Sequence, residues 1–133
     1  MRNLPGFPNR AAGERQIPSQ VWRFIGCSIA AIIIFFSLIT LYPLKQAVSQ
    51  IPLGDSGIHL FGFGLLAYCF FRSWEKEKTR GNLFFSLVAL GITLEILQAF
   101  MILADFEFED SLANTAGVMM GYFLVNARKE FNF

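Results

Sequence analysis

The stretch TLEILQAF, Thr93 to Phe100, places an acid and an amide inside an otherwise uncharged segment that runs from Gly81 to Ala104. At helical rise that segment is about 36 Å long, more than the roughly 30 Å of bilayer hydrocarbon. An acidic residue at mid-helix costs about 2.5–3.5 kcal/mol on insertion, while each Leu, Ile, Phe or Val returns about 0.3–0.6 kcal/mol. About a dozen such residues surround Glu95, so the segment inserts and keeps its acid. Glu95 and Gln98 stand at i and i+3 and therefore share one helical face.

Composition extends this reading to the whole chain. Of 133 residues, 54% are hydrophobic, too many for a small soluble domain. The mean hydropathy of +0.48 agrees. The length suits one domain and leaves no room for a soluble catalytic module beside the membrane part. A net charge of +1 selects no class of partner, and no nucleic-acid partner is expected. Cys27 and Cys69 both lie in apolar runs and read as reduced packing residues. The sequence holds no CxxC, HExxH, glycine-rich phosphate loop or GxSxG motif.

Residues 1–22 carry Pro, Gly and Arg without helical or strand period and read as a mobile cytoplasmic tail. Phe24 to Leu44 is a charge-free run between Arg23 and Lys45, long enough to span. A cleaved signal peptide, cut near Ala47-Val48-Ser49, is the alternative. Its apolar core would far exceed the usual length of about 7–15 residues, which favours an uncleaved anchor. Pro52 and Gly54 mark a loop over 46–55. Ser56 to Phe71 is a second span, short at about 24 Å. Trp22 and Trp74 are placed for the membrane interface. EKEKTR, Glu75 to Arg80, reads as a solvated charged turn. After the third span comes an acidic loop, DFEFED from Asp105 to Asp110, then a short fourth span, Ser111 to Ala127. The membrane domain thus covers 23–127, and a short cytoplasmic tail covers 128–133.

Basic residues orient the spans. With four crossings, ten of the eleven Lys and Arg fall on one side and Lys45 alone on the other. The positive-inside rule puts both termini in the cytoplasm and the loops 45–55 and 105–110 outside. The expected fold is all-α, a four-helix transmembrane bundle in the cytoplasmic membrane.

Polar residues then gather on that topology. Asp55 and His59 are i and i+4 at the outer start of the second span; Asp110 and Asn114 are i and i+4 at the outer start of the fourth. Gln98 lies about 9 Å and Glu95 about 13 Å below the outer end of the third. Gly117 and Gly121 continue the Asp110–Asn114 face with GxxxG spacing, which lets a neighbouring helix approach. Gly62 extends the Asp55–His59 face in the same way, and the many Phe are left for lipid.

These residues resemble the VanZ-like family of small membrane proteins over about residues 50–125. The likeness rests on D-x-x-x-H (Asp55, His59), E-x-x-Q (Glu95, Gln98) and D-x-x-x-N-x-x-G-x-x-x-G (Asp110, Asn114, Gly117, Gly121), in that order on successive apolar spans. Two positions depart from it. The family's usual Lys after the first Asp is Ser56, and its usual Arg six residues after the Gln is Ala104. Both losses make the outer mouth more acidic. The resemblance implies an association with reduced susceptibility to the glycopeptide teicoplanin, and supplies no molecular activity.

Competing roles remain for the polar residues. Glu95 beside His59 is suited to general-base or proton-carrier chemistry. The alternative is a Glu–Gln–His–Asn network that holds helices together, at about 0.6 kcal/mol per interhelical hydrogen bond. That return is small against the insertion cost, and ionisable groups inside membranes are functional by default. His59 is either a packing residue or a base. Asp55, Glu95 and Asp110 with the imidazole could hold a divalent metal, although no local ligand spacing demands one. Asp110 also suits a helix N-terminus through capping and the dipole. Gln98 and Asn114 either orient the acids or touch a ligand, and Glu107 and Glu109 read as a solvated rim. Two functions follow: a membrane enzyme or binding protein for a cell-envelope lipid or glycolipid, with His59 or Glu95 as base, or a non-enzymatic assembly or proton/ion-coupled partner. One cavity without an inverted repeat disfavours a stand-alone transporter.

Overall fold

The computed structural model describes residues 17–38, 54–74, 76–102 and 106–131. They form four helices: α1 (Ser19–Leu38), α2 (Gly54–Ser73), α3 (Glu77–Ile102) and α4 (Phe108–Phe131). No strand occurs among them. Two helices, α1 and α3, are long and apolar enough to cross a membrane. In α2 and α4 the polar residues of the site dilute that apolar character.

Helix boundaries follow local chemistry and extend past the apolar runs. Pro18 stands just before α1, and its carbonyl accepts a bond from the Val21 amide at 3.0 Å. Ser19 to Trp22 are therefore helical, not part of an irregular tail. Glu77 to Arg80 form the first turn of α3 rather than a turn between helices, with the Arg80 amide on the Lys76 carbonyl at 3.1 Å. Glu109 and Asp110 occupy the first turn of α4, where negative charge complements the helix dipole. That helix also continues through Arg128 instead of stopping there. The end of the first apolar run and the loop over 46–53 lie outside the described residues.

Close packing centres on α2 against α4, the most extensively joined pair. A Cβ on Gly117 would run into the Leu60 carbonyl and lie 2.9 Å from the Gly64 nitrogen. One on Gly121 would meet the Gly64 oxygen at 2.7 Å and Ala67 Cβ at 2.8 Å. The α2 member of this contact is thus Gly64. Gly62, expected on that face, instead turns toward Ile33 of α1, because α2 sits between two neighbours. Gly91 performs a similar service on α3, where an added Cβ would lie 2.9 Å from Asn114 Cβ.

Phe63, Leu66, Ala67 and Phe71 of α2, Leu87 and Leu94 of α3, and Val118 and Val125 of α4 fill the core. Phe63 and Phe71 are wholly buried, so not every Phe faces outward. Phe24, Phe61, Phe85, Phe100 and Phe123 are each more exposed than buried, together with Ile32, Leu65 and Leu124. Such an apolar exterior far exceeds what a water-soluble monomer carries and suits hydrocarbon. Cys69 is buried, Cys27 exposed, and both are free thiols.

Arg80 corrects the reading of EKEKTR as wholly solvated. It is only 5% exposed. Its guanidinium donates to the Trp74 carbonyl at 2.8 Å, the Phe71 carbonyl at 3.0 Å and Asn126 Oδ1 at 3.1 Å. Two of these acceptors are carbonyls that the end of α2 leaves without helical partners. Arg80 thereby ties the α2 terminus to α3 and α4.

Glycine contacts give a direct test. Gly117→Ala should destabilise the fold by about 1–3 kcal/mol, as overpacking does. At Gly57 an added Cβ meets nothing within 4 Å. Gly57→Ala should therefore leave stability unchanged or raise it by up to about 1 kcal/mol. Thermal melting of the purified variants in detergent checks both.

Candidate functional site

His59 stands where α2, α3 and α4 meet at one end of the helices, and each of these elements directs a side chain at its ring. Asp55 comes from one turn earlier in α2. Glu95 projects from α3, with Gly91 one turn before it clearing space for Asn114. Asp110 and Asn114 project from successive turns of α4, held close by the glycine contacts below them.

On one side of the ring, His59 Nδ1 lies 3.0 Å from Asn114 Oδ1 and 3.4 Å from Glu95 Oε1. The Asn114 amide nitrogen donates to the same Glu95 oxygen at 3.2 Å. With its nitrogen on Glu95, Asn114 presents its oxygen to His59, and both groups facing Nδ1 are acceptors. Nδ1 has an acceptor at hydrogen-bond distance, whereas those facing Nε2 are 3.7 and 3.9 Å away, and this assigns the donor role to Nδ1. The neutral ring then holds its lone pair on Nε2. That atom faces Asp110 Oδ2 at 3.7 Å and Asp55 Oδ1 at 3.9 Å.

Burial makes the arrangement consequential. Asn114 is 1% exposed, Asp110 3% and Glu95 4%. A buried polar group without a partner costs about 1–3 kcal/mol, so each must be satisfied inside the cluster. Asp110 accepts from Ser56 Oγ at 2.8 Å. Ser56, in the position where the VanZ-like pattern has a cation, thus supplies a neutral donor to this acid. Nothing in the spacing alone singled it out. Asp110 lies within the first turn of α4, past the position before Phe108 where a cap would stand, so it favours the helix through the dipole.

Gln98 takes a different direction. Its amide nitrogen donates to the Ser37 carbonyl of α1 at 3.0 Å, which fastens α1 to α3. Glu107 and Glu109 are exposed beside the site. Ala104 lies outside the described residues.

Asp55, His59 and Asp110 each offer one ligand atom, and these atoms lie within 4.8 Å of one another. A tetrahedral metal with bonds of about 2.0–2.1 Å sets adjacent ligands about 3.3 Å apart. The Nε2–carboxylate separations of 3.7 and 3.9 Å exceed this by only a few tenths of an ångström. Nδ1–H bonded to the Asn114 amide oxygen is the outer-shell arrangement that fixes a ligating histidine's tautomer. The donor set fits a divalent cation, and the same lone pair fits proton removal.

Asn114 carries the bridge between Glu95 and the ring. In a thermodynamic cycle, Asn114→Ala and His59→Ala should couple by about 0.6–1.7 kcal/mol, the range for interhelical polar pairs in membranes. Chemical or thermal unfolding in detergent gives the four stabilities. Strict additivity would break the claimed contact.

No curated protein and no solved structure matches the chain at a significant level. The family model described as VanZ/LLP1 matches residues 14–129, the greater part of the sequence. This match extends well beyond the motifs around Asp55, Glu95 and Asp110, and the apolar α1 and α3 accord with a membrane protein. The chain belongs to the VanZ/LLP1 family.

Proposed function

We propose that the chain crosses the bacterial inner membrane four times, with both termini cytoplasmic and the His59 cluster opening outward. In that position it binds or acts on a lipid or glycolipid of the cell envelope. The carrying observation is a single imidazole met by carboxylates from three helices, two of them nearly inaccessible. Charge asymmetry supports the orientation. Arg23, Arg72, Lys76, Lys78, Arg80 and Arg128 lie at one end of the helices, and Asp55, Glu107, Glu109 and Asp110 at the other. α2 and α4 turn their polar faces toward each other, which lets two less apolar helices reside in hydrocarbon.

In this account His59 Nε2 is the base, removing a proton from a hydroxyl or water brought to the cluster. Asp55 and Asp110 hold a cationic group of the ligand beside that atom; were a divalent cation held there instead, it would take the Nε2 lone pair, and His59 would serve as ligand in place of base. Glu95 and Asn114 position the ring. Gln98 anchors α1 to α3. Outward placement favours a lipid head group, because that region is where head groups and the outer ends of the helices coincide. The buried network also joins three helices, so a purely structural role is the competing reading.

Native mass spectrometry separates the two. The purified chain, incubated with an uncharged envelope glycolipid and a divalent metal, should retain the glycolipid. His59→Ala and Asp110→Asn should lose it about tenfold or more, the worth of one charged hydrogen bond. Both variants should melt within a few degrees of the parent. Equal retention by all three, or collapse of both variants, would favour the structural role.

A further inference from the structure

At the opposite end from His59, the start of α1 and the ends of α2 and α4 bring together Trp22, Arg23, Tyr68, Arg72, Trp74 and Arg128. Arg23 Cζ lies 4.0 Å from the Trp74 ring centroid, and Arg72 Cζ lies 5.6 Å from that of Trp22. Trp22 in turn meets Tyr68 edge to face, with centroids 5.7 Å apart and planes at 82°. Arg128 Nη1 reaches the Tyr68 hydroxyl at 3.4 Å. Stacking on aromatic faces holds the two α1 and α2 guanidinium groups in place.

Holding them leaves donors without acceptors. Arg23 Nε, Arg72 Nε and Trp22 Nε1 are buried and have no hydrogen-bond partner among the described residues. Neither Arg23 nor Arg72 pairs with a carboxylate there. Arg80 at the same end shows the contrast, since three oxygens satisfy its guanidinium. Three orphaned donors on neighbouring residues require an explanation, because such groups are rare in native structures. Two guanidinium groups and an indole N–H are matched by a group that offers several oxygens and negative charge. Phosphate is that group, and Arg binds it in a forked geometry.

We propose that Trp22, Arg23 and Arg72 bind the phosphate of an anionic phospholipid from the cytoplasmic leaflet. Phe24 and Val21, exposed beside these residues, offer the acyl chains an apolar wall. The Trp pair belongs at head-group depth, and basic pockets between helices on the cytoplasmic side are suited to anionic head groups. The inference rests on the membrane orientation proposed above and is independent of what the His59 cluster does.

The test uses the full chain in detergent, exposed to equal amounts of phosphatidylglycerol and phosphatidylcholine and followed by native mass spectrometry. Phosphatidylglycerol should be retained over phosphatidylcholine by about tenfold, the worth of one charged hydrogen bond. Arg23→Gln with Arg72→Gln should abolish the preference, and His59→Ala should keep it. Should the double variant fail to fold, Trp22→Phe removes one donor while keeping the ring stack, and should still weaken the preference. Millimolar inorganic phosphate should leave lipid retention unchanged. Equal retention of both lipids by the parent, or an undiminished preference in folded variants, would overturn the proposal. So would displacement of the lipid by inorganic phosphate, which would make free phosphate the ligand.

Discussion

One amide side chain governs the geometry at the His59 end. Asn114 uses its nitrogen on Glu95 and its oxygen on His59, so a single residue of α4 fixes an acid of α3 and an imidazole of α2. The proton is drawn to Nδ1, and the lone pair of the neutral ring is turned to Asp55 and Asp110. Remove the amide and Nδ1 keeps only the longer approach to Glu95 Oε1, at 3.4 Å. The amide's reach is short, which is why the backbones must come close. Gly64, Gly91 and Gly117 provide that closeness by lacking the atoms that would keep the helices apart.

Polar atoms are distributed unequally between the two ends. Around His59 the site residues are mutually satisfied, with Ser56 meeting Asp110 and Asn114 meeting Glu95, while the neighbouring Ser111 hydroxyl is buried without a partner among the described residues. At the arginine end, Arg80 is equally well satisfied, but Trp22, Arg23 and Arg72 retain buried donors. A low-dielectric surrounding strengthens a completed polar network and penalises an incomplete one. Completed bonds near His59 make a rigid site. Incomplete ones near Trp22 invite an outside acceptor.

Much of this was legible because helical spacing is local geometry. D-x-x-x-H, E-x-x-Q and D-x-x-x-N place side chains on faces without knowledge of neighbours, and the structure sets His59, Glu95, Asp55, Asp110 and Asn114 around one point. Spacing does not say which neighbour a face meets. Gln98 shares a face with Glu95 yet reaches α1, and Gly62 also meets α1 while Gly64 meets α4. Composition misled at Arg80 for a related reason. A run of charges reads as solvated, and nothing in it reveals the open carbonyls at the end of α2. Ser56 was visible only as a missing cation; that its hydroxyl serves Asp110 required coordinates.

The chain has a single histidine, so its imidazole can be observed without assignment. ¹⁵N NMR of histidine-labelled protein in lipid, at alkaline pH, reports which ring nitrogen holds the proton. Nδ1 should carry it in the parent, and Asn114→Ala should shift the balance toward Nε2. A ring protonated on Nε2 in the parent, or a spectrum indifferent to the loss of Asn114, would contradict it.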